Sequence, residues 1–351
     1  MRTFGAPGSK PTCSLPPASK RGSPAVMSWV PANAPGPAPN ELVSEVASQA
    51  ARSTPPPLAA LVGLLQDRFG ASLEAVLLYG SCLHGGDVTD GIVDLYALVD
   101  GYGEAYPGRG LPLANRLLPP NVFYAETAAD DLTLRAKFAV LTMDHFEAGA
   151  SRWFHSYVWA RFAQPSRVLW TRDKPSRDRV HKALAQAVVT FLRTTAPTRA
   201  GETLDAEGIW SSGLGLTYGA ELRPERATRV RYLTERNLPD YIRLTSACIA
   251  SGTLSGVVEA LPSGGYRIEG GPAERRRALW RWRLRRWQGR LLSVLRLGKS
   301  IFTFAGAVDY AVWKIHRHTG VTLEVSPRVR RHPVLMGPWV LWQLLRKGAL
   351  R

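Results

Sequence analysis

The chain has 351 residues, 45 Lys+Arg against 28 Asp+Glu, a formal net charge of +17 and 45% apolar residues. That length holds about two domains with a buried core, and the charge excludes an ordinary acidic enzyme in favour of one with a polyanionic partner: nucleic acid, nucleotide or anionic membrane. Cys13, Cys82 and Cys248 are far apart with no CxxC pair, which argues against a disulfide framework or structural zinc.

Residues 1–40 carry nine prolines and no acidic residue before Glu41. Such a segment buries too little apolar surface to order itself and reads as a disordered leader. An organellar transit peptide would need an amphipathic helix that the prolines oppose, and Met27 is an alternative start. Order is expected from about Asn40. Leu58 to Phe69 has helical periodicity and stops at Gly70. Leu73 to Tyr79 and Ile92 to Val99 read as buried strands on either side of a Gly- and Asp-rich loop, and Asn121 to Ala125 and Leu134 to Thr142 as two more. Met143 to Phe162 and Ser176 to Arg193 have helical spacing. Beyond these, Ala227 to Ala250, Pro272 to Phe304 and Ala305 to His318 read as helices, with a short β-like insert at Gly252 to Glu269. The expected division is a leader at 1–40, a mixed α/β domain at 41–172, a mostly helical domain at 173–270 and a basic, Trp-rich C-terminal part at 271–351.

The chemistry-bearing segment is LLYGSCLHGGDVTDGIVDLYALVD, Leu77 to Asp100. A strand delivers Gly80-Ser81 into a turn, and Asp94 follows on the next strand. Nucleotidyl transfer uses such parts: glycine lets backbone N–H groups approach a triphosphate, the serine hydroxyl adds a donor, and a carboxylate holds Mg²⁺ against the phosphates. The same residues would also make a hairpin with a glycine turn and an exposed aspartate, and spacing alone does not separate the two. Nucleotidyltransferases of the polymerase-β type carry Asp-x-Asp, but Ile92 occupies the first position here. A second metal carboxylate would then come from Asp100 at the strand end, ahead of Asp87 or Asp90 in the loop, where aspartates more often serve turns.

With these residues in place the chain resembles the mitochondrial-type phosphatidate cytidylyltransferases, the peripheral CDP-diacylglycerol synthases of the translocator maintenance family. Seven blocks match in order between about residues 40 and 320: Tyr79-Gly80-Ser81; Val93-Asp94-Leu95 with Val99-Asp100; Asn121 to Tyr124; Leu134 to Val140 around Lys137; Ala160-Arg161-Phe162 through Pro165; Leu216-Thr217-Tyr218 through Glu221-Leu222-Arg223; and Ser300 to Lys314. Cys82 stands where the family has Gly, and Ala220-Glu221 where it has Gly-Asp. The resemblance implies an α+β fold: a polymerase-β-like nucleotidyltransferase domain with a mixed sheet, then a mostly helical, winged-helix-like domain and a basic amphipathic C-terminus that associates with membranes. It implies Mg²⁺ as cofactor and CTP and phosphatidic acid as partners, with no nucleic acid. Asp94 and Lys137 become the catalytic residues, Asp94 and Asp100 the metal ligands, and Tyr79, Gly80, Ser81, Arg161, Tyr218 and Arg223 the nucleotide-binding set. Lys137 would neutralise charge on the α-phosphate or on the incoming phosphatidate; its apolar strand neighbours Ala136, Phe138 and Val140 argue against a merely solvated lysine.

Within RRRALWRWRLRRWQGR, Arg275 to Arg290, helical spacing puts Trp280, Leu284 and Trp287 on one face, continued by Leu291 and Leu295, with arginines around them. Docking of this stripe on the protein's own core is the first expectation; insertion at an anionic lipid interface is the other, and it accounts better for the arginines. The run at 333–345, with Trp339 and Trp342, is too short to span a bilayer and is broken by Pro338. The expected location is the cytoplasmic face of a bacterial inner membrane, with the matrix side of a mitochondrial inner membrane second. The rival readings are a nucleotidyltransferase acting on RNA or a soluble small molecule, and a non-catalytic membrane- or RNA-binding module on a degenerate nucleotidyltransferase fold.

Overall fold

The structure is a computed structural model that describes residues 36–84, 91–129, 132–221 and 227–303. The expected helix at Ala305 to His318 and the 333–345 run lie outside the described residues.

The described residues open with two helices, α1 (Asn40–Ala50) and α2 (Leu58–Phe69), and enter the sheet through β1 (Leu73–Tyr79). β2 (Val93–Val99) follows, then short helices α3 (Tyr102–Ala105) and α4 (Gly110–Leu117), and strands β3 (Asn121–Ala129) and β4 (Leu132–Thr142). Helices α5 (Met143–Ser151) and α6 (Trp159–Phe162) lead to the edge strand β5 (Arg167–Thr171). The sheet order is β3-β4-β2-β1-β5, with β2 and β4 parallel and the other pairs antiparallel.

Strand periodicity places the two cores. Ala75, Leu77, Tyr96, Leu98, Ala139 and Leu141 face one side, together with α1, α5, α6 and the helical half. Val76, Leu78, Val93, Leu95, Ala97, Phe138 and Val140 face the other, under α2 and α3. Covering both faces is what makes β1 and β2 apolar but for Glu74 and Asp94.

After β5 come α7 (Lys174–Thr195), β6 (Thr203–Leu204), α8 (Ala206–Ala220), α9 (Ala227–Ala250), β7 (Val258–Ala260), β8 (Tyr266–Ile268) and α10 (Pro272–Thr303). The helix–strand–helix–helix–strand–strand order of α7 to β8, with a small sheet ordered β6-β8-β7, is winged-helix-like. Aspartates start two of its helices: Asp173 accepts from the Ser176 N–H at 2.7 Å and Asp205 from the Gly208 N–H at 2.7 Å. The α+β class expected from the sequence, a mixed sheet followed by a mostly helical, winged-helix-like part, is the one observed.

Three expectations need correction. Met143 to Phe162 is not one helix: it ends at Ser151, where the Arg152 and Trp153 N–H groups both turn onto the Ala148 carbonyl, and the next seven residues form a strap before α6. The edge strand β5 and helix α8 carry no strong periodic signal and were not anticipated. The stripe of Trp280, Leu284, Trp287, Leu291 and Leu295 does not dock on the core; Trp280 is 61% and Trp287 64% exposed. The helix docks instead through Trp282 and Arg285. Trp282 is buried and its Nε1 donates to the Thr194 carbonyl at 3.1 Å. Arg285 donates to the Phe154 carbonyl at 2.6 Å and lies against the Phe154 and Trp282 rings. Gly289 lets α10 cross the end of α8, since a Cβ there would meet the Ala220 carbonyl oxygen at 2.5 Å.

Candidate functional site

A cleft of about 350 Å³ opens where the C-terminal end of β1 meets α6, α8 and α9. Its floor is a row across three strands. Register sets Tyr79 of β1 beside Asp94 of β2, and Asp94 beside Lys137 of β4. Because the side-chain period of a strand is two, residues abreast in register present to the same side. Lys137 Nζ is accordingly 2.9 Å from Asp94 Oδ1. Burial works against charge on Lys137, but the Asp94 carboxylate outweighs it and holds the ammonium above its ordinary pKa. Gly80 closes β1 at φ +90°, and a Cβ there would lie 3.0 Å from Asp94 Oδ2. Glycine is therefore required twice at this position, for its backbone angle and for the approach of the carboxylate.

The wall comes from the helices. Arg161 on α6 is held from several sides: its Nη1 donates to the Tyr96 hydroxyl at 2.8 Å, its Nη2 is 3.5 Å from Glu221 Oε2, and its guanidinium lies over the Tyr157 and Tyr79 rings. Burial disfavours its charge, yet Tyr96, Tyr157 and Glu221 together hold its pKa well above the usual arginine value. Tyr218 and Glu221 stand at the end of α8, and Arg229, Leu233 and Asn237 form a stripe on α9 at the i, i+4, i+8 spacing of one helical face. Three cations, Lys137, Arg161 and Arg229, thus share the cleft with two carboxylates, Asp94 and Glu221. Two of these cations are paired with the carboxylates, Lys137 with Asp94 and Arg161 with Glu221, and the lining as a whole has one more cation than carboxylate.

Of the sequence-level site residues, Tyr79, Gly80, Asp94, Lys137, Arg161 and Tyr218 line this one cleft, with Glu221. Ser81 begins the single 3₁₀ turn Ser81–His84 that follows Gly80. Arg223, Asp87 and Asp90 lie outside the described residues. Asp100 must be withdrawn as a ligand in common with Asp94. It sits past the opposite end of β2, six residues or about 20 Å away along the strand, where it accepts from the Ser72 hydroxyl at 2.7 Å and has Arg172 at 3.7 Å. It ties the far end of β2 to Ser72, just before β1, and faces Arg172, just after β5. Among the described residues no group of three His, Cys, Asp or Glu side chains is gathered as a metal site.

The sequence reading missed Tyr96, Tyr157, Arg229 and Asn237. Nothing in the sequence singles out Tyr96 or Tyr157, and their role in seating Arg161 depends on a helix–sheet contact that no local pattern encodes. The α9 stripe was present as a helical periodicity, but nothing in it says which face meets the sheet.

No protein-family model matches the chain, and no curated protein does. Among solved structures the chain is similar to a nucleotidyltransferase-like protein from Exiguobacterium sibiricum, with 13% identity over 83% of this chain and 91% of that one and a TM-score of 0.23.

Proposed function

We propose that the protein is a nucleotidyltransferase that joins CTP to phosphatidic acid, releasing diphosphate and forming CDP-diacylglycerol. The observation that carries the nucleotidyl-transfer part is the meeting, in one cationic cleft, of the Gly80 turn, Asp94 and Lys137 abreast on adjacent strands, and the seated guanidinium of Arg161. The choice of CTP and phosphatidic acid is supported by the resemblance in the seven sequence blocks.

The chemistry can be run on these residues without a general base. A phosphate monoester has its second pKa near 6 and is mostly a dianion at neutral pH. One of its oxygens attacks the α-phosphorus; the bond from that phosphorus to the bridging oxygen of the β-phosphate breaks, and the diphosphate leaves with the electron pair. Catalysis then rests on in-line placement and on neutralising charge. Lys137 and Arg161 supply fixed positive charge, and the Gly80 turn offers backbone N–H groups to the triphosphate.

The donor set fits one hard cation rather than two. Asp94 is a single strand carboxylate beside the phosphate site, and Mg²⁺ is commonly held by one or two carboxylates with substrate phosphates supplying the rest. Asp94 would hold it, and when bound it would neutralise charge on the phosphates.

The lipid half of the reading is supported by the outer face of α10, where Trp280, Leu284, Trp287, Leu291 and Leu295 are exposed among exposed Arg276, Arg277, Arg281, Arg283, Arg286 and Arg290. Tryptophan with arginine in this arrangement suits an anionic lipid surface. No helix among the described residues is long and apolar enough to cross a membrane, and the proposed place is peripheral, on the inner face of a bacterial plasma membrane. The winged-helix order gives the RNA reading its one point of support, but Arg229, Leu233 and Asn237 of α9 face the cleft and are not presented to a groove.

The deciding assay uses labelled CTP, Mg²⁺ and vesicles containing phosphatidic acid, following CDP-diacylglycerol and diphosphate. Folded, vesicle-bound protein that leaves CTP intact would overturn the proposal; turnover with a soluble phosphomonoester but not with vesicles would move the acceptor from lipid to soluble.

A further inference from the structure

Next to the cleft lies a second space. Leu83, Pro165 and Asn237 line both, and the further compartment is walled by Arg52, Arg167, Arg236 and Asp240. We propose that this arginine compartment takes the terminal phosphates of the nucleoside triphosphate and then the diphosphate that departs; the inference rests on the nucleotidyl-transfer reading above and extends it to the leaving group.

Sheet order gives the direction. Asp94 lies on the central strand β2, Lys137 on β4 to one side, and the Gly80 turn ends β1 on the other. Next to β1 is β5, and Arg167, its first residue, pairs with Leu78 two positions before Gly80. In-line displacement requires the entering and leaving oxygens on opposite sides of the α-phosphorus. With the acceptor phosphate drawn to Lys137, the leaving group points past the Gly80 turn toward β5. Leu83, two residues beyond Ser81, is part of the wall the two spaces share, with Pro165 and Asn237.

The charges of the compartment also suit a diphosphate. Its carboxylate is already committed: Arg52 grips Asp240 with both guanidinium nitrogens, at 2.7 and 2.5 Å, and Arg243 bonds the same carboxylate. Arg167 donates to the Ser166 carbonyl at 3.1 Å. Burial, and next the charge of Arg52, depress its pKa, so a bound anion would stabilise a cation that the fold alone disfavours. Planar guanidinium groups are matched to phosphate oxygens.

The test is equilibrium binding to the full-length chain of CTP, CMP and inorganic diphosphate, comparing the wild type with Arg167→Gln, Arg236→Gln and Arg167→Lys. CTP and diphosphate should each bind about tenfold or more weakly to either Gln variant, CMP should be unchanged, and Arg167→Lys should recover part of the loss. Unfolding midpoints establish that each variant is folded; should Arg167→Gln fail to fold, Arg236→Gln carries the comparison alone. Unchanged affinity for CTP and diphosphate, or an equal loss for CMP, would overturn the proposal. So would a loss confined to glycerol 3-phosphate or to phosphatidic acid vesicles, which would make this the acceptor's place. Arginine-dependent diphosphate binding by a protein that takes no nucleotide would instead keep the compartment and discard the nucleotidyl-transfer reading.

Discussion

Lys137 Nζ stands 2.9 Å from Asp94 Oδ1, and the two residues are register partners on the parallel strands β2 and β4. A lysine and an aspartate side by side on a sheet are commonly a structural pair of little net effect. Here the pair opens into a cationic cleft beside a glycine turn. Asp94→Asn and Lys137→Ala should each reduce kcat for the proposed CDP-diacylglycerol formation by about 10²-fold or more while leaving binding to anionic vesicles intact. Full activity in both variants would remove the pair from the site.

Gly80 is the most constrained backbone position of the cleft. At φ +90°, with the Asp94 Oδ2 oxygen 3.0 Å from any added Cβ, Gly80→Ala places the new methyl against the carboxylate and forces an L-residue into the left-handed region. The conformational cost is about 1–2 kcal/mol, small enough for the protein to stay folded. The expected outcome is a modest fall in melting temperature with a disproportionate loss of turnover, read by thermal unfolding and assay on the same sample. Parallel losses in the two would mean that the turn serves stability alone.

The sequence made the floor of the site legible because strands print themselves plainly. Lys137 between Ala136 and Phe138, and Asp94 between Val93 and Leu95, are polar side chains in apolar strands, and parallel pairing then brought them abreast. The same reasoning failed for Asp100, where six residues were read as nearness although an extended chain turns six residues into about 20 Å. The walls were illegible for a different reason. Tyr157 sits in a strap that interrupts an otherwise helical pattern, and Tyr96 looks like any core residue, so the seat of Arg161 emerges only from the packing of α6 on the sheet. In α10 two faces of one helix both carry tryptophan, and periodicity finds the stripe but not which face docks; the buried Trp282 and Arg285 settled that against Trp280 and Trp287.

Those two faces of α10 should separate under mutation. Trp282 is buried and hydrogen-bonded, so Trp282→Ala should cost about 3–5 kcal/mol of stability. Trp280 and Trp287 project outward, and Trp280→Glu with Trp287→Glu should leave the melting temperature nearly unchanged. The double variant should lower affinity for vesicles containing phosphatidic acid about tenfold or more, and wild-type binding should weaken with added salt because arginines contribute to it. Cosedimentation measures both. A double variant that binds vesicles like the wild type would dissociate this face from the membrane.

His155 provides a pH signature for the docking of α10. Its Nδ1 is buried with no hydrogen-bond partner among the described residues, its ring lies 4.9 Å from that of Trp153, and Arg285 and Arg296 approach from α10. Burial first, then the charges of Arg296 and Arg285, push its pKa down to about 3. In the unfolded chain the imidazole titrates near 6.5. The unfolded state therefore takes up a proton between about pH 6.5 and 3 that the folded state refuses, and by linkage this favours unfolding as the pH falls. The neutral ring contributes fully above pH 6.5, and its contribution is lost progressively below it. His155→Phe keeps an aromatic of similar size but cannot take the proton, so the variant should lose less melting temperature than the wild type between pH 7 and pH 5. Carboxylates destabilise both proteins in acid, which makes the difference between the two curves the informative quantity. Curves that fall in parallel would mean that His155 accepts its proton in the folded state, with α10 giving way around it rather than holding it neutral.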